Sequence, residues 1–196
     1  MKILGLTGGI GMGKSTTAHL FRRLGIPLFD ADLVVHQLSA PGGAALTAIA
    51  CAFPEMIENG RLERARLARL VFRDHPALRR LEAILHPLVA AERGRFLRRA
   101  RRQRRSLVVL DIPLLFESGG DAAVDRVAVV SCPAFLQRSR ALSRPGMSTE
   151  RLVRVLALQM PDAEKKKRAD WVIPTGAGKR GVVRRILEIR RTMERK

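Results

Sequence analysis

The run Ile3-Leu4-Gly5-Leu6-Thr7-Gly8-Gly9-Ile10-Gly11-Met12-Gly13-Lys14-Ser15-Thr16 decides how the chain is read. Ile3 to Leu6 is a short apolar run of strand type, and Thr16 to Leu24 has helical character. Between them, Gly8 to Ser15 fits G-x-x-x-x-G-K-[ST], the phosphate-binding loop, in its expected strand–loop–helix setting. Glycines let the main chain come close to a phosphate. Backbone N–H groups at a helix start form a concave anion nest, and the helix dipole favours negative charge there. Lys14 can reach β- and γ-phosphates, and the Ser15 hydroxyl can ligate the Mg²⁺ that bridges them. Gly11, Met12, Gly13, Lys14, Ser15 and Thr16 are therefore the nucleoside-triphosphate candidates, with Lys14 also catalytic. A Gly-rich turn with a chance Lys-Ser is the competing reading, and the strand–helix setting argues against it.

Working outward, Ile26-Pro27-Leu28-Phe29 reads as a second strand ending in Asp30-Ala31-Asp32. Open α/β sheets bind ligands at the carboxyl ends of strands, which makes these carboxylates candidates for the site. Asp32 can orient or deprotonate an attacking hydroxyl, and Asp30 can support it or reach Mg²⁺ through water. Helix N-capping is the alternative job for either. Leu107 to Leu110 is a buried strand ending at Asp111, which resembles a Walker B element and is a metal candidate beside Ser15. Val127 to Val130 and Ala169 to Ile173 supply the remaining strands.

Helical spacing marks 33–39, 44–53 and 62–72, with 54–60 expected as loop. A long Arg-rich helix is expected over 77–103, kinked or divided by Pro87 just after His86. Helices are expected over 134–143, from Ser148 to about Gln159, and over 179–195. If the first of these continues, Arg140 and Arg144 share a face. Strands alternating with helices imply a parallel sheet with right-handed crossovers.

The 196 residues are 46% hydrophobic and carry a net charge of +19, which fits a globular protein with anionic partners. Four percent aromatic content and no tyrosine argue against a stacking platform for single-stranded nucleic acid. Cys51 and Cys132 lie in no C-x-x-C, and the four histidines stand singly, which argues against a disulfide framework or a zinc site. No apolar run has the length of a membrane span, and no signal-peptide pattern opens the chain, so residence in the cytoplasm is expected.

The combination of Leu6-Thr7-Gly8-Gly9-Ile10-Gly11, Asp30-Ala31-Asp32, His86-Pro87, Pro113-Leu114-Leu115-Phe116-Glu117, Gln137-x-x-Arg140, Arg144 and Gln159-Met160 resembles the dephospho-CoA kinase family over nearly the whole chain. The resemblance implies transfer of the ATP γ-phosphoryl group to the ribose 3′-hydroxyl of dephospho-CoA, with Mg²⁺. Asp32 maps onto the proposed base, and Arg140 and Arg144 onto lid arginines. Arg64 and His86 fall in the helical insert that receives the CoA-side substrate. Asp30, Leu115 and Glu117 map onto the substrate pocket. Where many family members carry an Asn near the adenine, this chain has Pro174-Thr175-Gly176, which leaves backbone groups to supply those contacts.

The resulting expectation is an α/β phosphate-loop kinase fold of three layers with a five-stranded parallel sheet. The core is expected at about 1–35, 105–132 and 168–196, the substrate insert at about 40–104 and the lid at about 134–165. The expected partners are ATP and dephospho-CoA, without membrane or nucleic acid, for a monomer or small homo-oligomer. The alternatives are another small-molecule or nucleotide kinase, a GTP-binding switch, or a nucleic-acid binder. No Asn-Lys-x-Asp motif and no Asp-x-x-Gly after the Leu107–Leu110 strand support a GTPase.

Overall fold

The computed structural model describes residues 1–195. The chain forms two compact units, Met1–Phe29 with the chain from Ala100 onward, and Asp30–Arg99. The expected insert boundary near residue 40 thus falls inside the second unit, and the expected lid residues belong to the first.

The first unit is built on β1 (Lys2–Thr7), β2 (Leu28–Asp30), β5 (Leu107–Asp111), β6 (Arg126–Ser131) and β7 (Trp171–Pro174), in the order β2-β5-β1-β6-β7. Pairing is parallel from β5 through β1 and β6 to β7. Parallel strands need both faces covered, and the three inner strands are nearly continuous apolar runs for that reason. Leu4, Leu6, Leu107, Val109, Ala128 and Val130 point to one face, where they pack with α1 (Lys14–Arg23) and α9 (Lys179–Glu194) through Phe21, Ile186 and Ile189. Val127 and Val129 point to the other, against Leu115, Phe116, Val124 and Met160. A Cβ on Gly5 would lie 2.7 Å from Leu115 Cδ2, so a side chain there would require Leu115 to shift. Three further helices complete this unit: α6 (Ala134–Leu142), α7 (Thr149–Ala157) and α8 (Asp162–Arg168). The sequence did not mark α8, because its residues are polar throughout apart from Ala163 and show no apolar stripe.

The second unit holds α2 (Ala31–Leu38), α3 (Leu46–Ala52), the two-residue strands β3 (Ile57–Glu58) and β4 (Arg61–Leu62), α4 (Arg64–Arg73) and most of α5 (His75–Arg102). Its own core gathers Leu38, Ala45, Ile49, Phe53, Met56, Leu67 and Ala77. Two expectations are corrected here. The 54–60 loop contains one side of an antiparallel hairpin, Ile57 pairing with Leu62, turned by Asn59 and Gly60 at φ 49° and 71°. Both left-handed angles belong to the Asn-Gly type I′ turn, a signal the sequence did carry. Pro87 also does not divide the long helix: α5 runs unbroken for 28 residues. Leu81, Ile84, Leu85, Leu88 and Val89 pack on the core on both sides of Pro87, and that burial outweighs the lost hydrogen bond.

Candidate active site

The loop from Gly8 to Gly13 leaves the carboxyl end of the central strand and enters α1. The N–H groups of Gly13, Lys14, Ser15 and Thr16 open that helix and have no preceding turn to bond. An anion nest of this kind turns N–H groups inward, so its carbonyls must be satisfied on the outside. The loop's own turn and the start of α1 do this for Gly9 and Gly13, and the surrounding chain does it for Ile10, Gly11 and Met12. Gly9 O accepts from Met12 N, Ile10 O from Gln137 Nε2 at 3.0 Å, and Gly11 O from Cys132 Sγ at 3.8 Å. Met12 O accepts from Thr175 Oγ1 at 2.7 Å, and Gly13 O from Thr17 N and Oγ1. Ile10 is held from both sides, since its N–H also donates to Gln159 Oε1 at 3.0 Å. Gly11 and Gly13 have φ of 75° and 93°, and a Cβ on Gly11 would fall 2.5 Å from Gln137 O. Only glycine fits the loop at these two points.

Lys14 bends back so that Nζ lies 2.7 Å from Asp111 Oδ1. The register of β1 with β5 sets Leu6 opposite Asp111, which brings the strand-end carboxylate beside the loop. Asp111 is 2% exposed, so its charge needs the lysine close by. The Ser15 and Thr16 side chains are exposed at the helix start.

The other candidates fall into distinct settings. Asp30 is the N-cap of α2, its Oδ1 accepting from Leu33 N at 3.0 Å. Asp32 lies in the first turn of that helix, exposed, and lines a cavity of about 290 Å³ within the second unit. Arg64 lines the same cavity and donates from Nη2 to His36 O and to Ser39 Oγ, which ties the start of α4 to the end of α2. His86 is exposed on α5 and is not among the residues lining that cavity.

Arg140, on α6, donates from Nη1 to Thr175 Oγ1 and from Nη2 to Thr175 O, both at 3.1 Å. Arg144 is exposed beyond the end of α6 at Leu142, so the helix does not continue far enough for the two arginines to share a face. The chain turns there because Pro145-Gly146 cannot continue the helix. Leu115, the other pocket candidate, has its side chain wholly enclosed against Val127 and Val129.

Glu117 faces inward. Its Oε1 accepts from Met160 N at 2.8 Å and lies 2.8 Å from Nζ of Lys165, which is 1% exposed. Burial alone would raise the Glu117 carboxyl. Hydrogen bonding to Lys165 and to the Met160 N–H outweighs it and holds the group below its ordinary value of 4.5. Sequence reading noticed Gln137 and Gln159 only as parts of a resemblance, and gave Thr175 and Lys165 no role. Lys165-Lys166-Lys167 offers no pattern to say which lysine is buried.

A phosphate loop, a strand-end carboxylate on its lysine and an arginine joined to the loop through Thr175 are the parts expected of the donor half of a kinase. Comparison with known proteins agrees. A sequence model of the family described as dephospho-CoA kinase matches residues 2–179. The chain is 59% identical over 166 residues to the dephospho-CoA kinase of Paramagnetospirillum magneticum, covering 85% of this chain and 78% of that protein. It is 51% identical to the dephospho-CoA kinase of Mesorhizobium japonicum, covering 91% and 89%. The crystal structure of TT1252 from Thermus thermophilus superposes with a TM-score of 0.86 at 36% identity, over 100% of this chain and 98% of that one. A shikimate kinase from Acinetobacter baumannii shares the fold, with a TM-score of 0.52 at 20% identity over 100% and 96%. From phosphate loop to last strand, this chain belongs to the dephospho-CoA kinase family.

Proposed function

We propose that the residues described above carry out the family's reaction, transfer of the γ-phosphoryl group of ATP to the ribose 3′-hydroxyl of dephospho-CoA. The protein is a kinase, and ATP is its donor substrate. The observation that carries the residue assignment is the loop itself, with its carbonyls bonded outward and Lys14 poised on Asp111.

Phosphoryl transfer asks for in-line positioning and charge neutralisation more than for covalent help from the protein. In this reading the loop from Gly11 to Thr16 binds the triphosphate through its main chain, and Lys14 leaves Asp111 to neutralise the β- and γ-phosphates. Asp32 orients the acceptor hydroxyl and takes its proton. Arg64 holds an anionic group of the CoA-side substrate in the cavity of the Asp30–Arg99 unit, whose wall combines Arg64 and His36 with Ile49, Leu62, Leu67 and Leu85. His86, on the same unit, contacts that substrate outside the cavity. Arg140 keeps two donors on Thr175 and has others left for the transferring group. Arg144, exposed beside it in sequence, completes a lid of α6 and α7 that excludes water.

The donor set fits Mg²⁺. Ser15 offers an exposed hydroxyl at the helix start, and Asp111 a carboxylate at the strand end. Mg²⁺ takes one or two protein oxygens and fills its shell with water and phosphate oxygens, so no larger cage is required. Bound there, it would neutralise charge developing on the phosphates.

No helix among the described residues is long and apolar enough to cross a membrane. Cys51 and Cys132 are free thiols. Both fit work in the reducing cytoplasm, as a monomer or small homo-oligomer. A coupled ADP-release assay tests the function. Dephospho-CoA should give turnover well above an ATP-only control, while shikimate, gluconate and nucleoside monophosphates should not. Absence of ADP release with dephospho-CoA would overturn the reading.

A further inference from the structure

We propose that Thr175 is a positioning residue for the phosphate loop, and that its hydroxyl latches α6 to the loop through Arg140. The proposal rests on the kinase reading only for the identity of the triphosphate.

Four observations converge on this side chain. Its hydroxyl, 8% exposed as part of the residue, donates to Met12 O at 2.7 Å. Ser131 O stands farther off at 3.4 Å, so the single hydroxyl proton belongs to Met12. Arg140 donates to the same oxygen and, with its other Nη, to the Thr175 carbonyl. A Cβ on Gly13 would meet Thr175 Oγ1, Cβ and Cγ2 at 3.0 to 3.2 Å, so the threonine also packs directly under the residue preceding Lys14. Thr175 is itself fixed, since its N–H donates to Ser131 O at the end of β6.

The chemistry follows from the proton order. A guanidinium donating to the threonine oxygen polarises the O–H bond and strengthens its donation onward. The Met12 carbonyl is thereby held away from the nest. Freed, that carbonyl could turn its negative end toward the bound phosphates. Thr175 thus acts through the loop rather than on the substrate, and Arg140 becomes the link by which α6 feels the state of the loop.

The test uses the full chain with Mg²⁺ and ATP. The dissociation constant for ATP is measured without acceptor, and the KM values for ATP and dephospho-CoA in turnover. Thr175→Val keeps the shape and removes the hydroxyl. It should weaken ATP by about tenfold in both measurements, the scale of one buried hydrogen bond lost, with KM for dephospho-CoA within about twofold. Thr175→Ser should stay within about twofold of the parent. Thr175→Ala serves as a second deletion should the valine not fold. If the latch is real, the Arg140→Met and Thr175→Val double variant binds ATP about as weakly as the weaker single variant, not as the product of the two losses. Parent-like ATP binding by Thr175→Val, a serine variant as weak as the valine, or multiplicative losses would each overturn the proposal. Failure of the parent to turn over dephospho-CoA overturns the acceptor assignment instead, and leaves the ATP-binding comparison standing.

Discussion

Asp30 and Asp32 are two residues apart and of one chemical type, yet the fold gives them different settings. Asp30 spends its carboxylate on the Leu33 N–H. Asp30→Ala should therefore cost about 1 kcal/mol of stability, read by urea denaturation, as for other N-caps. Asp32→Asn should instead drop kcat by about a hundredfold or more while the ATP dissociation constant changes little. Near-normal turnover in that variant would remove Asp32 from the chemistry. The sequence offered N-capping for either residue and could not say which one caps, because an N-cap is a property of local backbone angles. Lys14, Ser15 and Asp111 were legible because the motif requires contiguous residues or a strand end. Thr175 was not, since nothing in Pro174-Thr175-Gly176 says that its hydroxyl meets a carbonyl 163 residues away.

At the scale of elements, patterning succeeded wherever an apolar stripe or run existed. The inner strands and α9 stand where their residues predicted. It failed at α8, which is tied to the rest of the unit by the Lys165–Glu117 ion pair and by the hydrogen bond from Ser131 Oγ to Asp162. Lys165 is enclosed and faces Glu117, while Lys166 pairs with Asp162 and Lys167 with Glu164 on more exposed ground. Glu117→Gln would leave an enclosed ammonium without its counter-charge, at a cost of about 3 kcal/mol at neutral pH. The Glu117 carboxyl is held below 4.5 in the folded state, so its contribution is present above that value and fades as pH falls through the lower folded value. Denaturation of parent and variant should therefore show a gap that narrows on acidification below about pH 4.5. A gap independent of pH would mean that shape, and not charge, holds α8. The same carboxylate accepts from the Met160 N–H, and the neighbouring Gln159 touches Ile10 of the loop. A weakened α8 should thus reach ATP affinity as well.

At the scale of the whole molecule, the +19 charge was legible from composition, but its meaning was not. Most of the arginines are exposed along helices, and several spend their charge locally, as Arg185 does on Glu188 and Arg190 on Glu194. Duplex DNA should bind loosely at 50 mM salt and be released by about 200 mM, a range over which purely electrostatic contacts lose several powers of ten. Retention at physiological salt would point to a built nucleic-acid surface. The outward bonding of the phosphate loop also has a consequence for the order in which the protein matures. Synthesis makes the loop well before Gln137, Gln159 and Thr175, which follow its residues by 127, 149 and 163 positions. Long-range partners of this kind close late in folding. A nascent chain stalled before β7 would expose a perfect motif whose frame still lacks Thr175. A segment made before its partners is then among the last to recognise its ligand, and ATP capture reports that the fold is finished.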